Sequence, residues 1–169
     1  MFLDTGLPLV IAAVAVIMDL RYARVDNGWI LFSLVMGFIF CICSYGVQGI
    51  LYFVSGALLP LFLLAVLFYF RMIGPGDIKL FCALGGILGA EKISKCMMFS
   101  FMLGAVFSLA ILMFYGGFRR RFLYFFNYIR DYFLTGKAKP YYKTGMPPEN
   151  FHFTVPVFLS IVLYIGGVY

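Results

Sequence analysis

Asp19, in IMDLRY, and Asp77, in GPGDIK, each border a long uncharged apolar run. A carboxylate next to hydrocarbon is costly, by about 2.5–3.5 kcal/mol at the centre of a membrane span and less at its edge. If the two were gathered in one partly dehydrated pocket, both could not ionise. One proton would be shared, and the apparent pKa values would belong to the pair. The ionised member then takes a proton from water while the protonated member polarises a carbonyl. Such general acid–base work on a peptide bond requires neither a metal nor a covalent intermediate.

Each aspartate also has a plainer reading. Asp77 suits the N-cap of a helix, where it would accept backbone N–H groups at the positive end of the dipole. Gly74 and Gly76 would then supply an unusual turn that Pro75 stiffens. The same glycines would also let this backbone approach an unwound peptide closely. Asp19 lies where a first helix ends, at the negative pole that disfavours a carboxylate, so its plainer reading is a pair with Arg21 or Arg24. Lys79 either tunes the acid or meets an acidic substrate group, or it snorkels to the interface. No competing apparatus is visible. Cys41, Cys43, Cys82 and Cys96 form no CxxC pair, and His152 is remote from them, so no metal site is expected. His152 has no evident nucleophile to serve, and Ser94–Lys95 falls on the opposite side of the membrane from both acids.

The elements that must position these residues are apolar. The chain has 169 residues, 64% hydrophobic and 12% charged, with a mean hydropathy of +1.01. A soluble domain could not hide so much apolar surface. Runs near the ~20 residues needed to cross a bilayer predict an all-α polytopic membrane protein, a single domain over 1–169. Six spanning segments are expected, at 6–20, 29–45, 50–70, 77–90, 96–118 and 154–169, because lipid offers no partner for free backbone groups. Pro60 lies mid-span in the third and is expected to kink it. The first segment lacks a basic n-region and an A-x-A site, so it reads as a retained helix rather than a cleaved leader. Alternating sides put eleven of the thirteen lysines and arginines on one side and only Lys92 and Lys95 on the other. By the positive-inside bias, Asp19 and Asp77 face the cytoplasm and both termini lie outside. Within the loop 119–153, Phe122, Phe125, Phe126, Ile129 and Phe133 recur at helical spacing among basic residues. That pattern predicts an interfacial helix, serving as an anchor or as a lid. The net charge of +6 is accounted for by anionic lipid, without nucleic acid.

At two places the residues match a known pattern. GPGDIKL, 74–80, resembles the GxGD motif of membrane aspartyl proteases in the form seen in type IV prepilin peptidases. DLRYARVDN, 19–27, is similar to that family's second motif, an aspartate, five residues, then Ile-Pro-Asn. The resemblance implies a GxGD protease that cuts prepilin leaders at the cytoplasmic face of a prokaryotic inner membrane, with Asp19 and Asp77 as the catalytic pair. It implies a prepilin or pseudopilin substrate, with a basic leader and one hydrophobic helix, and no cofactor. Gly74, Gly76, Lys79, Asn27 and Asp26 would shape the site or bind substrate. The chain is similar to short members that process Flp-type pilins, and TVPVFLSIVLYIGG resembles their last span. Larger members carry a cysteine-rich insert after the first span and also N-methylate the new terminus; only about eight residues separate the first two spans here, so N-methylation is not expected. Asp26 stands where the family has proline, a third carboxylate suited to a basic leader. The rival classes are an ion-coupled transporter, which would place acids at mid-bilayer, and a non-catalytic pilus or secretion subunit, which leaves both aspartates idle.

Overall fold

The computed structural model describes residues 2–69, 72–114, 130 and 152–168. Among these, the chain is mostly helical and has no strand. The order is α1 (Phe2–Tyr22), α2 (Asn27–Tyr45), α3 (Gln48–Tyr69), α4 (Pro75–Phe114) and α5 (Thr154–Ile165). Two compact units are formed, Met1–Gly104 with His152–Tyr169, and Ala105–Phe151. The first unit carries every candidate site residue. Apart from Arg130, the interfacial helix expected around 122–133 lies outside the described residues.

Helices α1 to α3 lie on the first three apolar segments, and α3 continues as helix through Pro60. The fourth and fifth segments depart from expectation. They run together as α4, which Gly89 divides into two arms, so five helices rather than six are counted among the described residues. The polar stretch AEKISK between them contains strong helix formers and no glycine or proline. It therefore continues as helix, with Lys95 paired to Glu91 at 3.0 Å one turn away. Helical geometry fails inside α4 only at Gly89 (φ 79°, ψ 168°), a conformation that only glycine adopts cheaply.

That one residue folds α4 back on itself. Phe81 and Phe101 would stand about 30 Å apart along an unbroken helix, yet their rings lie 6.4 Å apart. Phe153, just before α5, contacts both, at 6.2 and 5.3 Å. The reversal interrupts the helical hydrogen-bond ladder, and side chains from other helices take the freed carbonyls. The Tyr52 hydroxyl donates to the Leu88 carbonyl, and the Cys41 thiol to that of Gly86.

The core follows the α4 hairpin. Leu80, Phe81, Ala83, Leu84, Ile93 and Cys96 are fully buried, together with Val157 and Ile161 of α5. Helix α1 packs along α5, and α2 along α3. The outer faces stay apolar, as shown by Leu51 and Phe62 of α3, each about three-quarters exposed. Helices α1 to α4 are each long and apolar enough to cross a membrane. With both sides of the interface equally apolar, association rests on close packing. At the α3–α4 crossing, a Cβ on Gly56 would fall 2.0 Å from the Gly85 carbonyl oxygen, and one on Gly85 2.2 Å from that of Gly56.

Gly56→Ala and Gly85→Ala are each expected to destabilise the bundle by about 1–3 kcal/mol, the usual cost of overpacking. Gly6→Ala, where a Cβ meets nothing within 4 Å, should be neutral or slightly stabilising. Midpoints of SDS-induced unfolding of the purified protein in detergent compare the three.

Candidate active site

Three helix ends meet at one end of the bundle: the last turn of α1, the first turn of α4 and the first turn of α5. Asp19 lies one turn before the end of α1. Ala23 closes that helix in the left-handed region (φ 51°) and donates its N–H to the Asp19 carbonyl at 2.8 Å. The tight closure leaves only residues 23–26 to turn the chain into α2.

Asp77 is not an N-cap. Helix α4 begins with Pro75 at its first position, where the missing N–H costs nothing. Gly74 is therefore the cap, and Asp77 stands two residues after Pro75. Its carboxylate reaches back to accept the Gly74 N–H, as the third helical residue does in a capping box. This contact explains the first glycine of the motif. A Cβ at position 74 would press on Asp77 Oδ2 at 3.3 Å. Neither Gly74 nor Gly76 has positive φ, so the expected unusual turn is not what glycine supplies here. Gly76 faces open space instead, with nothing within 4 Å of a Cβ.

Asp77 lies close enough to Asp19 for their charges to interact. Asp19 pairs with neither Arg21 nor Arg24 among the described residues. Its Oδ2 takes the Thr154 hydroxyl at 2.7 Å and His152 Nδ1 at 3.1 Å. The Asp19 side chain is 14% exposed and that of His152 22%, while Thr154 is buried. These donors, at the positive start of α5, offset the unfavourable negative pole at the end of α1.

Sequence reasoning passed over both donors. The available signal was that His152 is the chain's single histidine and opens the last apolar segment. The same alternation of spans that pairs Asp19 with Asp77 also brings this segment's start to their side.

The two motif loops touch through a second contact. Lys79 Nζ donates to Asn27 Oδ1 at 2.8 Å, on the exposed side of the site. Lys79 thus has a definite protein partner, rather than merely snorkelling. Asp26 is the N-cap residue of α2, but its side chain makes no capping hydrogen bond, and it is exposed. Beside Gly74 and Pro75, an open groove of about 730 Å³ runs to the end of α3. It is lined by Ala65, Phe68, Tyr69, Met72 and Ile73. The site therefore combines two interacting carboxylates, each held by a different helix start, with apolar space next to one of them.

If Asp19 and Thr154 are as close as their 2.7 Å hydrogen bond requires, cysteines at these positions can bridge. In a background lacking the native cysteines, Asp19→Cys/Thr154→Cys is expected to form a disulfide under mild oxidation, joining peptides from α1 and α5 in a mass spectrum. A Thr5→Cys/Thr154→Cys pair, with position 5 near the far end of α1, should not.

A model of the type IV leader peptidase family matches residues 7–113. Neither the curated proteins nor the solved structures hold a match to the chain.

Proposed function

From the premise that this chain belongs to the type IV leader peptidase family, we propose that it is an aspartyl endopeptidase whose water is activated by Asp19 and Asp77. Membership makes it a protease of prepilin-type leaders in a multi-pass membrane protein. The reading of the reaction is carried by one observation: the two motif aspartates, far apart in sequence, converge closely enough to interact.

The reaction runs through the pair sharing one proton. The ionised carboxylate takes a proton from water, and the water oxygen attacks the scissile carbonyl carbon. The protonated carboxyl gives its proton to the carbonyl oxygen, which yields a neutral gem-diol. On collapse, one diol hydroxyl returns its proton to a carboxylate and the amide nitrogen takes a proton from the other. The C–N bond breaks, leaving a carboxylic acid and an amine with the aspartate pair restored. The open space at Gly76 lets an extended substrate backbone lie across Asp77. The apolar groove beside Gly74 and Pro75 suits the hydrophobic helix that follows the cut, as in a Flp-type pilin. Gly74 and the Lys79–Asn27 bond shape the site.

Arg21, Arg24 and Lys79 stand at the site end of the bundle, which supports a cytoplasmic orientation by the positive-inside bias. Both termini then lie on the other side of the inner membrane. That Asp26 is exposed and without a capping bond of its own supports a role for it in attracting the basic leader. With only residues 23–26 between α1 and α2, there is no room there for the insert of the methylating members, so cleavage without N-methylation is proposed.

Asp19→Asn and Asp77→Asn should each lower cleavage of a co-expressed prepilin by a thousandfold or more, on the order of what acid–base groups contribute, with the unfolding midpoint retained. Processing by either variant at more than about a hundredth of the wild-type rate sinks the two-aspartate mechanism. In the wild type, kcat should fall on both sides of a pH optimum, since only the singly protonated pair works. Asp26→Asn is expected to raise KM for a substrate with a basic leader while leaving kcat alone. An unchanged KM removes Asp26 from substrate binding.

A further inference from the structure

Threonine and histidine at the start of a helix ordinarily serve their own helix, through capping or solvent contact. In α5 they do not. Its N-cap position, Phe153, has no side-chain cap bond, and the Thr154 hydroxyl leaves its own helix to bond Asp19, 135 positions away in sequence. Thr154 is 1% exposed and β-branched, hence stiff about χ1. The His152 ring comes to the same carboxylate oxygen from the preceding turn. While Asp19 is ionised it only accepts, so Nδ1 then carries the hydrogen.

Both donors fall on Oδ2, and among the described residues Oδ1 accepts no hydrogen bond. Two donors on one oxygen fix the rotation of a carboxylate, which a single donor would leave loose. Asp77 takes one donor, the Gly74 N–H, at the start of α4. Each acid is thus gripped from behind by a different helix start.

We propose that His152 and Thr154 are positioning residues that clamp Oδ2 of Asp19, so that Oδ1 is presented to the reacting water. This rests on the reading of Asp19 as a catalytic carboxylate. The clamp works by hydrogen-bond donation, which Thr154, a residue with no charge, shares with His152. An alternative is that the two bonds only fasten α5 to α1. That role would appear in stability, and a residue that hydrogen-bonds equally well in the ground state and transition state leaves kcat untouched.

The test uses the full chain in detergent with a prepilin-type substrate. It compares Thr154→Val, which keeps shape and loses the hydroxyl, with Thr154→Ser, which restores it. His152→Leu is compared with His152→Asn, whose amide nitrogen can stand where Nδ1 stood. Thr154→Val and His152→Leu should lower kcat by about 10- to 100-fold, as small misplacements of a reacting group do, with KM little changed. The serine and asparagine variants should recover most of it. A second readout is independent of turnover: the infrared carboxylate stretch of Asp19, assigned by its loss in Asp19→Asn. It should shift in Thr154→Val and return in Thr154→Ser. Unchanged kcat and an unmoved band in the valine and leucine variants overturn the clamp. So does a loss of kcat that serine and asparagine fail to restore, or one that only follows a lowered unfolding midpoint. A wild-type protein that cleaves no prepilin overturns the peptidase reading alone, and the band then decides the clamp by itself.

Discussion

A carboxylate at the end of a helix faces carbonyl oxygens and the negative pole of the dipole. At the rim of an apolar bundle it also has little water to offset them. Asp19 occupies this position, and nothing on its own helix relieves it. Relief comes from the start of α5, where Thr154 and His152 donate to Oδ2. The positive end of one helix is thereby set against the negative end of another. The rest of the site depends on this opposition, because it holds Asp19 in place for the interaction with Asp77.

The opposite start, that of α4, has to be held as firmly. Asp77 is rigid because its helix is central. The α4 hairpin fills the core through Leu80, Phe81, Leu84, Ile93 and Cys96, and Phe81, Phe101 and Phe153 lock its two arms to the lead of α5. Glycine makes the arrangement possible at two places. At Gly89 the backbone reverses in a conformation closed to other residues, and a Cβ there would collide with the Tyr52 ring. At Gly56 and Gly85, α3 approaches α4 backbone to backbone. In lipid, where apolar burial gives no advantage between helices, such closeness is what holds them together.

The division of surfaces follows the chemistry. Outward faces of α2 and α3 are predominantly apolar, as a bilayer requires, and the exposed Ser55 hydroxyl donates to the Tyr52 carbonyl. The charged groups and their hydrogen-bond partners collect at the ends: Asp19, Asp77, His152, Thr154, Lys79 and Asn27 at one, and Glu91 and Lys95 beyond the Gly89 reversal. Mid-bilayer acids, which an ion pathway would need, do not occur in the described spans. A rim site suits a reaction in which water must reach a peptide bond next to a hydrophobic helix.

Much of this was written in the sequence. The apolar runs gave an all-α membrane bundle, because hydropathy over a span is a local property that lipid reads directly. The two aspartate motifs identified the family and the candidate pair, because a turn with Pro75 between two glycines next to an acid is set by neighbours in the chain. The sequence called for a reversal between the fourth and fifth segments but did not reveal that it falls at Gly89, since Gly85 and Gly86 stand in the same run. The contacts of Tyr52 and Cys41 with the freed carbonyls decide its place. Nor did it reveal the partner of Asp19. Arg21 and Arg24 were near in the chain, but His152 and Thr154 were near in space, and helix packing chose the latter. Local sequence specifies which segments are helical and where they stop. Which helix end faces which is settled by the packing of all five together, and here that packing brought a threonine and a histidine to an aspartate that could not be satisfied by its own helix.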